Sequence, residues 1–161
     1  MFDIIIIGSG PAGIFAAYNL IQHGITNILL LDKGNTPDKR ICPKKDICIR
    51  CLNCNIISGF GGSGIWSDGK LVLNSEIGGE LNPSKKNMST ILEIFQKYSS
   101  GITYSSGYPE LKDQAVLYGL KLIPVNTFHM GTDNVRKFVE KIYKYLSNII
   151  EIKCNTKVKN I

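Results

Sequence analysis

The chain has 161 residues, 43% of them hydrophobic, and a formal net charge of +6. This length allows one substantial core, so we expect one domain, and it is short for an enzyme with two complete substrate sites. The longest apolar run near the N-terminus, at 4–7, is far shorter than the about 20 residues that cross a bilayer, which argues against a membrane span. No basic segment precedes this run, which argues against a secretory signal. We therefore expect a cytoplasmic protein with no membrane partner.

Residues 1–32 predict one β-α-β unit. The continuous β-branched run at 2–7 is typical of a strand buried on both faces of a parallel sheet, and we expect it to be a central strand. Apolar residues at helical spacing predict a helix over 12–23, which Gly24 is well placed to end. A second buried strand follows at 27–32, joined to the first by a right-handed crossover.

Residues 33–82 are rich in Gly, Cys, Lys and Asn and have no periodicity, which predicts a long excursion from the sheet. Loops of this length in compact domains are usually functional. Within it, residues 59–70 are too glycine-rich for regular structure, and glycine allows the backbone to pass close to a ligand. The candidate ligand contacts in this segment are Gly61, Gly62, Ser63 and Ser67. The alternative is a flexible surface loop, against which the embedded Trp66 argues.

Residues 83–161 predict three helices and two short strands. An amphipathic helix is expected over 84–98 and a weaker one over 110–120. The best-patterned helix follows the N-cap candidates Thr132 and Asp133 and carries its apolar stripe to Leu146. The strands are expected over 122–125 and, with alternating apolar residues, over 149–158.

The glycine turn between the first strand and the first helix fits the pattern G-x-G-x-x-G and consists of Gly8, Ser9, Gly10, Pro11, Ala12 and Gly13. In this position the first glycine permits the turn, the second lets a pyrophosphate approach the backbone, and the third allows the helix to pack on the strand. The helix N-terminus supplies N–H donors and partial positive charge. Asp32 is placed to accept hydrogen bonds from the adenosine ribose, and Lys33 beside it is a further candidate contact. This pattern predicts a bound dinucleotide, with a non-binding glycine turn as the alternative.

The start of the chain, with Gly10-Pro11-Ala12-Gly13, resembles the FAD-binding fingerprint of the glutathione-reductase-like flavoproteins. The fold alone does not distinguish FAD from NAD, because both cofactors present the same ADP moiety to the glycine turn. The resemblance implies FAD. The cysteines and glycines at 42–71 and the run His-Met-Gly-Thr-Asp-Asn at 129–134 resemble the bacterial FAD-dependent dehydrogenases described as NAD(FAD)-utilising dehydrogenases. The resemblance implies a Rossmann-like α/β FAD/NAD(P)-binding domain with a parallel sheet and a long Gly/Cys-rich excursion, and NAD as a candidate co-substrate.

The resemblance also implies that this chain is an incomplete, N-terminal part of a longer protein. Flavoproteins of this kind return to the first sheet with a late strand and a glycine turn, and no such segment follows Val158. We therefore expect residues 1–161 to be a truncated FAD-binding domain.

Four of the five cysteines lie close together in the sequence, at Cys42, Cys48, Cys51 and Cys54. In a reducing cytosol such clustering favours metal or redox roles over structural disulfides. The C-x-x-C-x-x-C spacing can bring three thiolates onto an iron–sulfur cluster or a zinc ion, with Cys42 as a fourth ligand. The alternatives are a dithiol that exchanges electrons with flavin, and cysteines that only pack.

The function predicted from these features is the FAD-binding part of a flavin-dependent oxidoreductase whose substrate and electron acceptor are unknown. No catalytic base is predicted, since His23 and His129 both suit structural roles. The alternatives are an NAD-dependent dehydrogenase, a flavin-bound RNA-modifying protein, and a non-catalytic dinucleotide-binding module. The basic residues at 33–54 are the only support for RNA; such clusters are usually solvated surface, so we do not expect a nucleic-acid partner.

Overall fold

The structure is a computed structural model that describes residues 1–74, 77, 84–99 and 101–160. Contacts divide the chain into two compact units, Met1–Trp66 with Arg136–Ile161, and Ser67–Val135. We call them the first and second units. Within the described ranges no helix is both long enough and apolar enough to span a membrane. The expectation that 1–161 form one FAD-binding domain stays a prediction.

The described elements mix helices with parallel and antiparallel strands, so the predicted α/β class is confirmed. The strands are β1 Ile4–Ile7, β2 Ile28–Leu31, β3 Lys70–Val72, β4 Thr103–Ser105, β5 Thr127–His129 and β6 Glu151–Lys153. The helices are α1 Pro11–Gln22, α2 Lys85–Tyr98, α3 Lys112–Leu117 and α4 Thr132–Ser147. Short 3₁₀ helices form at Pro37–Lys39, Gly62–Trp66 and Pro109–Leu111.

The first unit is built on a parallel sheet with the strand order β1-β2-β6. All four residues of β2 are buried, because it pairs on both sides and is covered on both faces. The expectation that β1 is the central strand is wrong for the described residues: β1 pairs only with β2, and its Ile5 and Ile7 are more than half exposed. A run of isoleucines looks the same in a strand at the edge of a sheet as in a central strand. Here β2 is the central strand, because β6 pairs with the side of β2 that β1 leaves free.

Two helices supply most of the remaining core of the first unit. In α1 the buried face is Ile14, Ala17 and Tyr18. The stripe predicted for α4 is confirmed, since its apolar residues from Val135 to Leu146 are nearly all buried. Those from Phe138 onward belong to the first unit. The helix begins at Thr132, so Thr132 and Asp133 lie in its first turn and are not the N-cap.

The second unit contains an antiparallel sheet with the order β3-β5-β4. Helix α2 confirms the expected amphipathic helix, and Ser84 caps it by accepting a hydrogen bond from the Asn87 amide. The strand expected over 122–125 is wrong: these residues are irregular and the strand forms at β5. Pro124 cannot donate to a sheet, which explains the shift.

Two expectations about irregular segments are also corrected. The glycine-rich segment contains a short 3₁₀ helix, Gly62–Trp66, although no regular structure was expected there. The strand expected over 149–158 is limited to β6, because Asn155 has a φ of 54° and interrupts it. The amides of Asn155 and Thr156 donate to the carbonyls of Gly34 and Asp32.

Candidate functional site

The glycine turn joins β1 to α1 and leaves room for a ligand at the helix N-terminus. Gly8 has φ +100°, a conformation that side chains rarely allow. Gly10 caps α1 with no side chain over the helix end, and a Cβ added there would meet nothing within 4 Å. The first N–H groups of a helix have no acceptor within it, so this end is an open donor site for an anion.

The last glycine of the turn has the packing role that the sequence predicted. A Cβ on Gly13 would collide with the carbonyl oxygen of Gly8 and lie 3.3 Å from the side chain of Ile6. The Gly8 amide in turn donates to the Leu31 carbonyl at 2.7 Å. Gly13 therefore lets α1 lie directly on the sheet, which brings its N-terminus to the ends of β1 and β2.

Asp32, directly after β2, holds three backbone segments together. One carboxylate oxygen accepts the Ser9 amide at 2.8 Å and the Ser9 hydroxyl at 2.7 Å. The other accepts the amides of Gly34 and Gly59, both at 2.8 Å. Burial raises the pKa of Asp32, but these hydrogen bonds outweigh burial and leave the pKa below its usual value. Because a carboxylate accepts about four hydrogen bonds, this set fills its capacity. The ribose contact expected of Asp32 stays a prediction, and a ribose would have to compete with these donors.

The second glycine segment lies against the glycine turn. The Gly61 amide donates to the Ser9 carbonyl at 2.7 Å. A Cβ on Gly62 would lie 3.1 Å from the Cα of Gly10, and one on Gly64 would lie 3.4 Å from Pro11. The glycines at these positions therefore permit the close approach, and Gly61 and Gly62 form a wall beside the open helix end.

The two serines predicted in this segment lie in different places. Ser63 is exposed and belongs to the first unit, next to this wall. Ser67 belongs to the second unit, where its hydroxyl accepts the Gly69 amide at 3.2 Å. Ser67 therefore belongs to a different unit from the other predicted contacts, and its predicted contact with the ligand stays a prediction.

A cavity of about 270 Å³ opens at the carboxyl ends of β1 and β2 in the first unit. It is lined by Ile7, Gly8, Leu31, Asp32, Lys33, Ile57, Ser58, Thr156, Lys157 and Val158. Lys33, one of the predicted contacts, is exposed at this cavity. Ligands of open parallel sheets bind at this edge, so the cavity and the glycine turn, which share Gly8, form one candidate site at the ends of β1 and β2.

Sequence reasoning missed Arg40, the largest fully buried side chain of the described residues. Its guanidinium donates to four backbone carbonyls, those of Asn55, Ile56, Phe60 and Gly62. No local signal marks it, because it stands in the same basic run as the exposed Lys44 and Lys45. Its burial also removes one charge from the basic patch that was the only support for RNA binding.

The cysteines are not assembled into a metal site in the described part of the chain, where no group of three or more His, Cys, Asp or Glu side chains is placed to hold a metal ion. Cys48 is exposed, and Cys42, Cys51 and Cys54 are partly exposed. Hydrogen bonds from the backbone of Ile56, and then of Ile57, hold the pKa of the Cys54 thiol below its usual value. The proposed iron–sulfur or zinc site stays a prediction without support from this geometry.

The two histidines lie in different surroundings. The His23 ring nitrogen is 2.8 Å from the Asn19 carbonyl at the end of α1, which fits the structural role expected of this residue. In the second unit, Nε2 of His129 lies 3.3 Å from a carboxylate oxygen of Asp68, outside hydrogen-bond geometry. His23 does not line the cavity at the ends of β1 and β2.

Strand, glycine turn, helix and second strand together define a dinucleotide-binding β-α-β unit. The family described as FAD binding domain matches residues 3–37, the same unit and the turn after β2. The cofactor that this match indicates is FAD.

Two curated relatives are similar over short segments. A protein of Clostridium beijerinckii described as uncharacterized is 41% identical in an alignment of 71 residues that covers 42% of this chain and 13% of that protein. The FAD-binding monooxygenase hmp7 of Hypomyces subiculosus is 52% identical over 33 residues, which are 20% of this chain and 6% of that protein. The matched part of this chain thus spans only a small share of either relative.

Similar solved structures include an amino acid deaminase and an amino acid oxidase, both at low identity. L-amino acid deaminase from Proteus vulgaris matches with a TM-score of 0.32 and 14% identity, over 95% of this chain and 44% of that one. NikD, described as an unusual amino acid oxidase, matches with a TM-score of 0.38 and 8% identity, over 96% of this chain and 43% of that one. Scores this low do not identify a function.

Proposed function

We propose that this chain is the FAD-binding part of a flavin-dependent oxidoreductase with a small-molecule substrate. The observation that carries the proposal is the coincidence of the FAD binding domain match with the open glycine turn. The match alone would be a sequence pattern, and the turn alone would suit any dinucleotide. Together they support a cradle for the pyrophosphate of FAD.

The residues of the first unit fit this cofactor without rearrangement of the turn. The free amides at the start of α1 and the bare Cα of Gly10 face the position of the diphosphate, and Gly61 and Gly62 limit it on one side. The cavity beside Asp32 and Lys33 has room for the nucleoside end. Bound FAD supplies the ring that accepts electrons; the chain binds and orients it.

The finer assignment rests on the cysteine and glycine motifs at 42–71. We infer from them a dehydrogenase similar to the NAD(FAD)-utilising group, with the glutathione-reductase-like arrangement, a cytoplasmic location and NAD as co-substrate. The match of residues 3–37 supports only its FAD-binding component.

The test compares Gly10→Val with Gly101→Val. Both glycines have φ values that valine accepts and open space around the added Cβ, so both variants should fold like the wild type. Valine at position 10 occupies the diphosphate position, whereas Gly101 lies in the second unit. We expect FAD titration by calorimetry and flavin absorption to show binding in the wild type and Gly101→Val, and at least about a hundredfold weaker binding in Gly10→Val, equivalent to about 2.7 kcal/mol.

Parallel titrations with NAD separate the two cofactors. Stoichiometric FAD binding by Gly10→Val would refute the cradle. Binding of NAD in preference to FAD by the wild type would replace the flavoprotein with a nicotinamide-dependent dehydrogenase.

A further inference from the structure

Arg40 is a buried cation whose surroundings are backbone carbonyls. It follows the 3₁₀ helix Pro37–Lys39 and its side chain has no exposed surface. Among the described residues no carboxylate makes an ion pair with it. Burial lowers the pKa of Arg40, and the nearby negative charge of Asp32 offsets this only in part. A buried guanidinium is costly unless its donors are satisfied, so its hydrogen bonds indicate what keeps it there.

The four hydrogen bonds of Arg40 reach both ends of one loop. Its Nε donates to the Asn55 carbonyl at 3.0 Å and one terminal nitrogen donates to Ile56 at 2.8 Å. The other terminal nitrogen donates to the carbonyls of Phe60 at 2.9 Å and Gly62 at 2.6 Å. We call residues 55–62 the clamp loop. The planar fork of arginine spans these acceptors at once, whereas the single nitrogen of lysine cannot.

The end of the clamp loop is the part that contacts the glycine turn. The Gly61 amide donates to the Ser9 carbonyl, and Gly62 lies directly beside Gly10. Arg40 holds this end through the carbonyls of Phe60 and Gly62. The side chain of Arg40 therefore fixes the position of Gly61 and Gly62 beside the N-terminus of α1.

We propose that Arg40 is a positioning residue of the cofactor site, which holds the clamp loop against the glycine turn so that the diphosphate site is formed before FAD binds. This inference rests on the proposed function. It requires the shape of the guanidinium as well as its charge, because four carbonyls in different directions must be held together.

The experiment compares Arg40→Lys and Arg40→Ala with Arg50→Lys and Arg50→Ala. Arg50 is exposed in the same basic segment and serves as the matched control. We expect FAD to bind at least about tenfold more weakly to both Arg40 variants, the equivalent of one hydrogen bond to a charged group, and unchanged to both Arg50 variants. Methylguanidinium at millimolar concentration should restore binding to Arg40→Ala, and methylammonium should not.

A second measurement needs no cofactor. Amide hydrogen exchange of Gly61, followed by NMR in the free protein, should be at least about tenfold faster in Arg40→Lys, while Leu30 in β2 exchanges at the wild-type rate. This comparison separates a displaced clamp loop from general unfolding, even where Arg40→Ala fails to fold.

The outcomes distinguish this inference from the proposed function. Failure of the wild type to bind FAD removes the proposed function. Wild-type affinity in Arg40→Lys, with an equally protected Gly61 amide, overturns the role of Arg40 and leaves the FAD proposal standing.

Discussion

Asp32 shows how a single carboxylate can hold the backbone segments of a candidate binding site together. Its four hydrogen bonds come from the glycine turn, from the turn after β2 and from the clamp loop. These donors are satisfied only by a charged acceptor at this point of the chain. The same residue that the sequence assigned to the ribose is therefore also needed to hold the free site together.

Asp32→Asn should destabilise the protein at neutral pH by about 1–3 kcal/mol, because an amide cannot accept from all of these donors. The folded-state pKa of Asp32 is lowered, so its stabilisation is fully present above the unfolded pKa of about 4 and is lost as the pH falls through the folded pKa. Urea unfolding at neutral and acidic pH should show the difference between wild type and variant shrinking below about pH 4.

Asp46→Asn is the control for this experiment, since Asp46 is exposed. Its stability should match the wild type at every pH. A difference between wild type and Asp32→Asn that stayed constant down to low pH would show that the charge of Asp32 is not what these amides require.

The cysteines should differ strongly in reactivity. Hydrogen bonds from the Ile56 and Ile57 backbone lower the pKa of Cys54, whereas burial raises the pKa of Cys154 to about 11. Since the thiolate is the reactive form, iodoacetamide at pH 7 should alkylate Cys54 at least about a hundredfold faster than Cys154, as measured by peptide mass spectrometry. The rate at Cys154 should rise with pH toward 11, and the contrast should vanish in urea. Equal rates in the folded protein would contradict these environments.

At the scale of elements, the sequence predicted those whose pattern is local. The turn at Gly8–Gly13, α1, α2 and α4 follow from glycine spacing and apolar periodicity within each segment. The 3₁₀ helix Gly62–Trp66 did not follow, because it is held by Arg40 from more than twenty positions away. The same holds for the candidate site. The glycine turn could be predicted from the sequence, whereas the position of the clamp loop could not, because it depends on long-range hydrogen bonds.

Helix α4 should contribute strongly to stability through its buried stripe. Leu146 has no exposed surface, so Leu146→Ala removes buried methyl groups and leaves a cavity. We expect a loss of about 2–5 kcal/mol in the free energy of unfolding, measured by urea titration with far-UV circular dichroism. The same substitution at Leu117 of α3, which is 83% exposed, should change it by less than about 0.5 kcal/mol. Equal losses would show that the burial pattern of α4 is wrong.

At the scale of the whole molecule, the edge position of β1 among the described strands has a physical consequence. The run of isoleucines predicted a central strand that is buried on both faces. Within the described residues β1 instead pairs with one neighbouring strand only, and two of its four residues are exposed. Edge pairing and burial depend on the order of strands, which no single segment encodes. An edge that carries exposed isoleucine offers unpaired backbone groups and apolar surface to other chains.

We therefore expect the 161-residue chain to associate through β1 at high concentration. Ile5→Thr keeps a β-branched residue in the strand but removes apolar surface from a side chain that is 56% exposed. Light scattering should show a higher concentration threshold for association in this variant. The control Ile49→Thr removes a similar apolar group, 64% exposed, from an irregular segment with no strand edge. If both variants raise the threshold equally, exposed apolar surface in general drives association. If only Ile5→Thr raises it, the edge of β1 is the contact, because strand pairing requires both the free backbone and the apolar side chain in one place.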